Sequence, residues 1–119
     1  HSFGGVVVFD LAVRSDAPLH VDRFVTFGSQ PAFFHSIHPR PGIPPFTPPD
    51  KVVLPTTIGR WLNLWEPLDP LAFIVGKVFS APGDGPTDQR IPHRFSDGLY
   101  THSDYWKSEE SIAAMKDFL

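Results

Sequence analysis

The sequence has no cysteine and little net charge. The absence of cysteine from the 119 residues excludes a disulfide framework, a thiolate zinc site and a cysteine nucleophile. Ten Lys and Arg against thirteen Asp and Glu give a net charge of −3. This balance argues against nucleic acid as a partner, because binding to nucleic acid needs a basic face.

Long apolar segments are also absent. No run approaches the about 20 residues that cross a bilayer, so we expect no membrane span. The first residues lack the charged and apolar regions of a signal peptide, and we expect a cytoplasmic protein. The length suits one domain at most. His1 stands inside a motif instead of following an initiating methionine, so we expect residues 1–119 to be a fragment.

Proline is abundant and clustered. Seven of the 14 prolines fall between Pro39 and Pro55. Proline lacks the N–H that helices and central strands require, so residues 39–57 are predicted to form an extended loop. A loop of this length inside a domain is usually functional or mobile.

The remaining segments predict alternating strands and helices. Residues 4–14 are apolar on nearly every side, which fits a buried helix or a core strand, and their length favours the helix. A short helix is predicted over residues 30–37, and a last helix follows its N-cap Ser108, with Ile112, Met115 and Leu119 as its apolar stripe. Strands or extended pieces are predicted over residues 21–27, 58–65, 75–79 and 87–91. The alternation indicates an α/β fold with a parallel sheet.

The segment from His1 to Gly5 has the composition of a nucleophile turn. A nucleophilic serine between a strand and a helix needs small neighbours, and glycine two places after Ser2, at Gly4, would let the helix pack closely on the strand. The helix N-terminus offers backbone N–H groups to a developing oxyanion. The plainer interpretation is that Ser2 is an ordinary helix N-cap.

Four segments together resemble lipase- and esterase-like α/β-hydrolases. His1 to Gly5 is similar to their nucleophile elbow, lacking only the glycine that would precede His1. Residues 24–29 (FVTFGS) resemble the strand after the elbow helix. Residues 60–71 (RWLNLWEPLDPL) resemble the strand and loop of the acid, and residues 101–106 (THSDYW) the histidine loop. The resemblance covers nearly the whole chain, in the order Ser, Asp, His. It implies a partial α/β-hydrolase fold, with C-terminal parallel strands, flanking helices and the N-terminal strands absent.

Asp69 is the candidate acid of the site. It follows a predicted strand in a proline-rich turn, where its carboxylate could orient an imidazole by accepting a hydrogen bond. The alternative is that Asp69 only shapes the turn, as aspartate often does. Its competitors are Asp84, Asp88 and Asp97, which lie in predicted loops nearer the histidine.

His102 is the candidate base, because it lies just before the last helix and a neutral imidazole is available near pH 7. His93 is the runner-up, in a similar turn-rich stretch. His1 adjoins the serine, but a ring in so tight a turn usually points elsewhere, so we expect it to pack. His20, His35 and His38 show no metal-ligand spacing and are interpreted as surface or loop residues.

The oxyanion would be bound by the backbone N–H of Phe3, the residue after the nucleophile. By resemblance, a second donor comes from a loop after an early strand that this sequence does not contain. The missing N-terminal half of the domain is therefore an expected partner. Without it we expect the isolated chain to be inactive.

Aromatic residues could line a substrate pocket. Phe33, Phe34, Phe46 and the proline-rich loop are candidates for an acyl or aromatic pocket near the site, although packing of the loop onto the core explains them equally well. Trp61 and Trp65 share one face of a predicted strand and are expected in the core.

The function implied is hydrolysis of a small-molecule carboxylic ester through an acyl-enzyme on Ser2, with no metal or organic cofactor. Acyl transfer to another alcohol would use the same residues. A non-catalytic domain of this fold is the main rival, with the proline-rich loop as its docking segment. A phosphate-binding half-domain is disfavoured, since the sequence has neither the P-loop lysine nor G-x-G-x-x-G.

Overall fold

A computed structural model describes residues 1–93 and 98–119, with backbone only at residues 98 and 99. Its helices are α1 (Phe3–Val13), α2 (Pro31–Ile37), a 3-10 helix (Gly98–Trp106) and α3 (Glu109–Phe118). Its strands are β1 (Val21–Phe27), β2 (Val52–Val53), β3 (Ile58–Trp65), β4 (Phe79–Ser80) and β5 (Thr87–Arg90). The chain is therefore a mixed α/β protein, as predicted.

The main sheet is parallel, with strand order β1-β3-β5. Its register pairs Phe27 with Leu64 and Trp65 with Arg90. Because all three strands run in one direction, their carboxyl ends meet at a single edge. Loops that follow parallel strands gather at that edge, where α/β proteins commonly bind ligands.

Helices cover both faces of this sheet. On one face, α1 and α2 form a cluster with the sheet and the loop around β2 and β4, and Phe9, Trp61 and Phe79 lie at its centre. On the other face, the 3-10 helix and α3 pack through Tyr105 and Ala114. Strand β3 is central and apolar, as a parallel strand covered on both faces requires.

Two extended predictions need correction. Residues 75–78 form a turn, and only β4 at its end is extended. The turn is held because the Asp88 carboxylate accepts the backbone N–H groups of Val75 and Gly76, at 2.9 and 2.7 Å. The proline-rich segment 39–57 is mostly loop, but it contains β2, which pairs in parallel with β4. The other predicted strands are confirmed.

The predicted apolar stripe of α3 is partly wrong. Ser108 caps α3 as expected, its hydroxyl accepting the N–H of Ser111 at 3.2 Å. The buried residues of α3 are the small Ser111 and Ala114, because small side chains let the helix approach the sheet closely. Ile112 is 39% and Leu119 66% exposed.

Helix α1 is apolar all round, yet it is covered on one side only. Val6 and Phe9 face the sheet, whereas Phe3, Val7 and Leu11 are 57, 45 and 40% exposed. The sequence predicts full burial of this helix, but residues 1–93 and 98–119 cover only one side of it. None of the helices in residues 1–93 and 98–119 is both long and apolar enough to cross a bilayer.

The two tryptophans of β3 differ in burial. Trp61 is buried in the α1 cluster and donates its indole N–H to Thr26 Oγ1 at 2.8 Å. Trp65, at the end of the strand, is half-buried. The core prediction is thus confirmed for Trp61 and only partly for Trp65.

Candidate active site

The three predicted site residues lie at the carboxyl edge of the parallel sheet. Ser2 immediately precedes α1, Asp69 lies in the turn after β3, and His102 lies within the 3-10 helix. The backbone N–H of Ser2 donates to the carbonyl of Phe27, the last residue of β1, at 3.1 Å. This hydrogen bond fixes the start of α1 beside the end of that strand.

Asp69 and His102 form a buried hydrogen-bonded pair. The imidazole Nδ1 lies 2.9 Å from Asp69 Oδ2 and 3.2 Å from Oδ1. The aspartate side chain is fully buried and the histidine side chain is 13% exposed. An ionised carboxylate can only accept, so beside one, Nδ1 carries a proton, and in the neutral imidazole Nε2 is then the acceptor. That Nε2 is buried and has no hydrogen-bond partner among the described residues.

Ser2 lies in a tight turn with a strained backbone. Its φ of 54° and ψ of −134° lie where a non-glycine residue is strained by about 1–3 kcal/mol. The conformation is held by its own N–H bond to Phe27 and by Ser29, whose hydroxyl donates to the Ser2 carbonyl at 2.6 Å. The Ser2 side chain makes no capping hydrogen bond to α1. Ser2 therefore occupies the N-cap position of α1 without capping the helix through its side chain.

Gly5, not Gly4, allows α1 to approach the sheet. A Cβ placed on Gly4 would meet nothing within 4 Å. A Cβ on Gly5 would overlap the Ser29 hydroxyl and lie 3.0 Å from both Ser29 Cβ and Thr26 Cγ2. The glycine that packs closely on the sheet is therefore Gly5, three residues after the serine, and not the expected Gly4, two residues after it.

The backbone N–H of Phe3 has no acceptor within the helix. Phe3 occupies the first position of α1, and the first N–H groups of a helix lack intrahelical partners. The next two are used in tight turns, since Gly4 donates to the His1 carbonyl and Gly5 to the Ser2 carbonyl, both at 3.1 Å. The Phe3 N–H therefore stands beside Ser2 as a donor at the positive end of the helix.

Tyr105 is part of the site, and the sequence analysis missed it. Its buried hydroxyl donates to Asp69 Oδ2 at 3.0 Å and accepts the backbone N–H of Glu66 at 3.0 Å. Burial, and then the Asp69 charge, raise the pKa of Tyr105, so it remains a neutral donor. The N–H of Leu71 adds a further bond to Asp69 Oδ1 at 2.9 Å. The one available signal was the spacing of Tyr105 three residues after His102.

Gly28 was also missed. It follows β1 with φ of +54°, a region that favours glycine. A Cβ there would lie 2.9 Å from Asp69 Oδ2 and 2.9 Å from His102 Cε1. Glycine at this position leaves the space that the acid–histidine pair fills. Its place directly after a predicted strand was the available signal.

The competing acids and bases lie in other surroundings. Asp88 binds the turn at residues 75–76 and the Asn63 amide, and Asp84 is exposed. Asp97 lies outside the described residues. The Nδ1 of His93 is 3.6 Å from Glu66 Oε2, away from Ser2.

The remaining histidines either contact other groups or are exposed. The ring of His1 bonds the His102 carbonyl at 2.7 Å and stacks on Phe27, in agreement with a packing role. His20 and His38 are exposed. His35 is fully buried, which overturns its assignment to the surface: its Nδ1 accepts the N–H of Arg40 and its Nε2 donates to the Pro44 carbonyl. Within residues 1–93 and 98–119, no group of three acidic or histidine side chains is arranged to hold a metal.

An apolar hollow of about 320 Å³ opens beside Ser2. Its lining residues come from the start of α1, from α2 and from the loop after Asp69: Ser2, Phe3, Gln30, Phe33, Phe34, Pro70, Leu71 and Phe73. Phe33 and Phe34 thus line a hollow next to the serine, and its use as a substrate pocket stays a prediction. Phe46 instead packs against the core cluster.

A scan of protein-family models, a search of curated proteins and a search of solved structures each found no match to this chain. The α/β class is thus established by the chain's own architecture, and its function must be argued from the site.

Proposed function

We propose that this chain carries the nucleophile, base and acid of a serine hydrolase that cleaves carboxylic esters. The observation that carries the proposal is the buried Asp69–His102 hydrogen bond, which leaves Nε2 as a free acceptor at the sheet edge where Ser2 begins α1. A serine in a strained turn, a histidine and a buried carboxylate are the components of acyl-enzyme chemistry.

Each residue has one role in the proposed reaction. Ser2 Oγ attacks the ester carbonyl while its proton moves to His102 Nε2, and the Asp69 carboxylate stabilises the imidazolium. The Phe3 N–H binds the negative oxygen of the tetrahedral intermediate. His102 then protonates the leaving alcohol, and water attacks the acyl-enzyme by the same steps to release the acid. The Ser2–His102 hydrogen bond is expected to form when substrate binds, since such bonds are often long in the free enzyme.

We also propose that the chain is the C-terminal part of an α/β-hydrolase domain. The order Ser, Asp, His along the chain and the placement of each residue after a parallel strand or before a helix support this. So does the N–H bond from Ser2 to the end of β1, which continues the hydrogen bonding of that strand toward residues upstream. A preceding strand and its helices would cover Val7 and Leu11 and supply the second oxyanion donor.

Ester turnover by the natural protein, with whatever sequence flanks residues 1–119, tests the proposal. Ser2→Ala should abolish turnover, and Asp69→Asn should lower kcat by about 10⁴-fold, because the asparagine favours the wrong imidazole tautomer. Ser15→Ala and His20→Gln are matched controls at exposed positions and should retain full activity.

Two outcomes would contradict the esterase. One is a folded wild-type protein that turns over no ester, which would favour the non-catalytic domain. The other is undiminished turnover by Ser2→Ala. When a second alcohol is supplied, product analysis separates hydrolysis from acyl transfer, since the transferase would form a new ester and not the free acid.

A further inference from the structure

We infer that the hollow beside Ser2 binds the acyl group of the substrate, and that this group is uncharged and aromatic or medium-chain alkyl. The inference rests on the proposed function and specifies its substrate class. It depends on three features of the hollow: its aromatic walls, the lack of charge on its described lining residues, and its position relative to His102.

The walls are aromatic and mutually supported. Phe33 stacks on Phe73, with ring centres 4.8 Å apart and planes at 27°, and meets Phe34 edge-on at 5.5 Å. Phe3 meets the far side of this group, 5.9 Å from Phe34. Such contacts hold the rings in place and leave their remaining faces for a ligand.

Large apolar side chains at the hollow remain in contact with water. Phe3 is 57% exposed, and Phe33 and Leu71 are each 39% exposed. A contiguous exposed apolar patch next to a polar reactive group is characteristic of a ligand site. An apolar ligand would remove these surfaces from water.

The polar side chains of the lining offer little to a charged group. Besides Ser2, the one polar lining residue is Gln30, whose amide nitrogen donates to the carbonyls of Gly28 at 2.7 Å and Leu71 at 2.6 Å. Both of its N–H groups are therefore used. Among the described residues, none that lines the hollow carries a charge, so a carboxylate or ammonium placed there would lose its hydration without gaining an ion-pair partner.

The position of the hollow assigns it to the acyl side of the ester. The leaving alcohol must lie near His102 Nε2, which protonates it. Ser2 and Phe3 line the hollow but His102 does not. The hollow thus adjoins the serine and not the imidazole that protonates the alcohol. The part of the substrate that remains bonded to Ser2 is the acyl group.

The size of the hollow suits a small acyl group. A volume of about 320 Å³ is at the lower end of the range of about 300–1,000 Å³ for small-molecule sites. A phenylacetyl or hexanoyl group is therefore a better match than a long fatty acyl chain.

Hydrolysis of p-nitrophenyl esters that differ only in the acyl group tests this inference. We expect kcat/KM for the phenylacetyl and hexanoyl esters to exceed that for the acetyl ester by at least tenfold, because a few buried carbon atoms supply such a ratio. The succinyl ester, which carries a carboxylate, should be no better than the acetyl ester.

Phe33→Ala should lower the phenylacetyl-to-acetyl ratio of kcat/KM by at least fivefold. Phe33→Leu should restore much of the ratio for the hexanoyl ester. Ile37→Ala, at a 62% exposed position of the same helix that does not line the hollow, should leave the ratio unchanged.

The outcomes separate the two proposals. Turnover of the acetyl ester with no preference for larger acyl groups, or a ratio that Phe33→Ala does not change, overturns the assignment of the hollow while the esterase stands. A preference for the succinyl ester overturns the uncharged class. No turnover of any ester by the folded protein contradicts both the site and the hollow.

Discussion

Replacing Gly5 with alanine places a methyl group between α1 and the sheet, where the Ser29 hydroxyl now lies. The new Cβ would also be 3.0 Å from Ser29 Cβ and from Thr26 Cγ2, and Thr26 belongs to the rigid strand β1. Either α1 must shift outward or Ser29 must rotate. In both cases the Ser29 hydroxyl loses its bond to the Ser2 carbonyl, which holds the strained serine in its turn.

The expected size of this effect follows from three contributions. Overpacking at a rigid contact costs about 1–3 kcal/mol. The lost hydrogen bond removes about 0.5–1.5 kcal/mol. Alanine in place of glycine inside a helix stabilises the folded protein by about 1 kcal/mol. Gly5→Ala should therefore lower the free energy of unfolding by about 1–3 kcal/mol, whereas Gly4→Ala, which meets nothing within 4 Å, should raise it by up to about 1 kcal/mol.

Urea unfolding of the two alanine variants and the wild type, followed by circular dichroism, measures this difference. The two substitutions are chemically identical and adjacent, so effects on the unfolded chain largely cancel. Equal stabilities of the Gly4→Ala and Gly5→Ala proteins would refute the packing of α1 on Ser29. So would a Gly5→Ala protein more stable than the wild type.

Three other substitutions test separate parts of the site. Tyr105→Phe removes a donor to Asp69 and leaves a buried backbone N–H unpaired, which should cost about 1–3 kcal/mol in urea unfolding; a variant as stable as the wild type would refute these contacts. Burial lowers the pKa of His35, so as the pH falls its imidazole is protonated in the unfolded chain before it is protonated in the folded protein. Its contribution to the free energy of unfolding should therefore be constant above about pH 6.5 and should be lost as the pH falls through the lower folded pKa. His35→Gln should remove that dependence between pH 5 and 7.5. Gly28→Ala should lower ester turnover more than tenfold, since φ of +54° and a Cβ 2.9 Å from Asp69 Oδ2 displace the pair; wild-type rates would contradict this.

Local patterns predicted the elements that local chemistry determines. Strands β1 and β3 have the predicted bounds because apolar runs end there at Gly28 and at Glu66-Pro67. Helix α2 begins at Pro31, because the ring of proline favours the first helical position. The α/β class followed from their alternation.

Features that depend on contacts distant in sequence were not predictable. Residues 75–78 are apolar enough to suggest a strand, but the carboxylate of Asp88 holds them as a turn. The sequence around His35 suggests a surface residue, but its ring is buried and hydrogen-bonded to the Pro44 carbonyl. The sequence offers two glycines after Ser2, and only the position of Ser29 shows that Gly5 is the one that must stay small.

The site shows the same division. Ser2, Asp69 and His102 were chosen from a motif order, and their catalytic roles remain predictions. Tyr105 could not be chosen that way, because its contact with Asp69 spans 36 residues and depends on how the 3-10 helix packs. Phe73 was missed for a similar reason, since its stacking on Phe33 joins the loop after Asp69 to α2.

The most direct measurement is the location of a fluorophosphonate adduct in the natural protein. Such probes react with serines that a neighbouring base activates. We expect a single adduct that peptide mapping assigns to Ser2, and its loss in a folded His102→Ala variant, with Ser15 unmodified in both. An adduct on another serine, or a folded wild-type protein that takes up no probe, would contradict the claim that Ser2 is the nucleophile of a hydrolase.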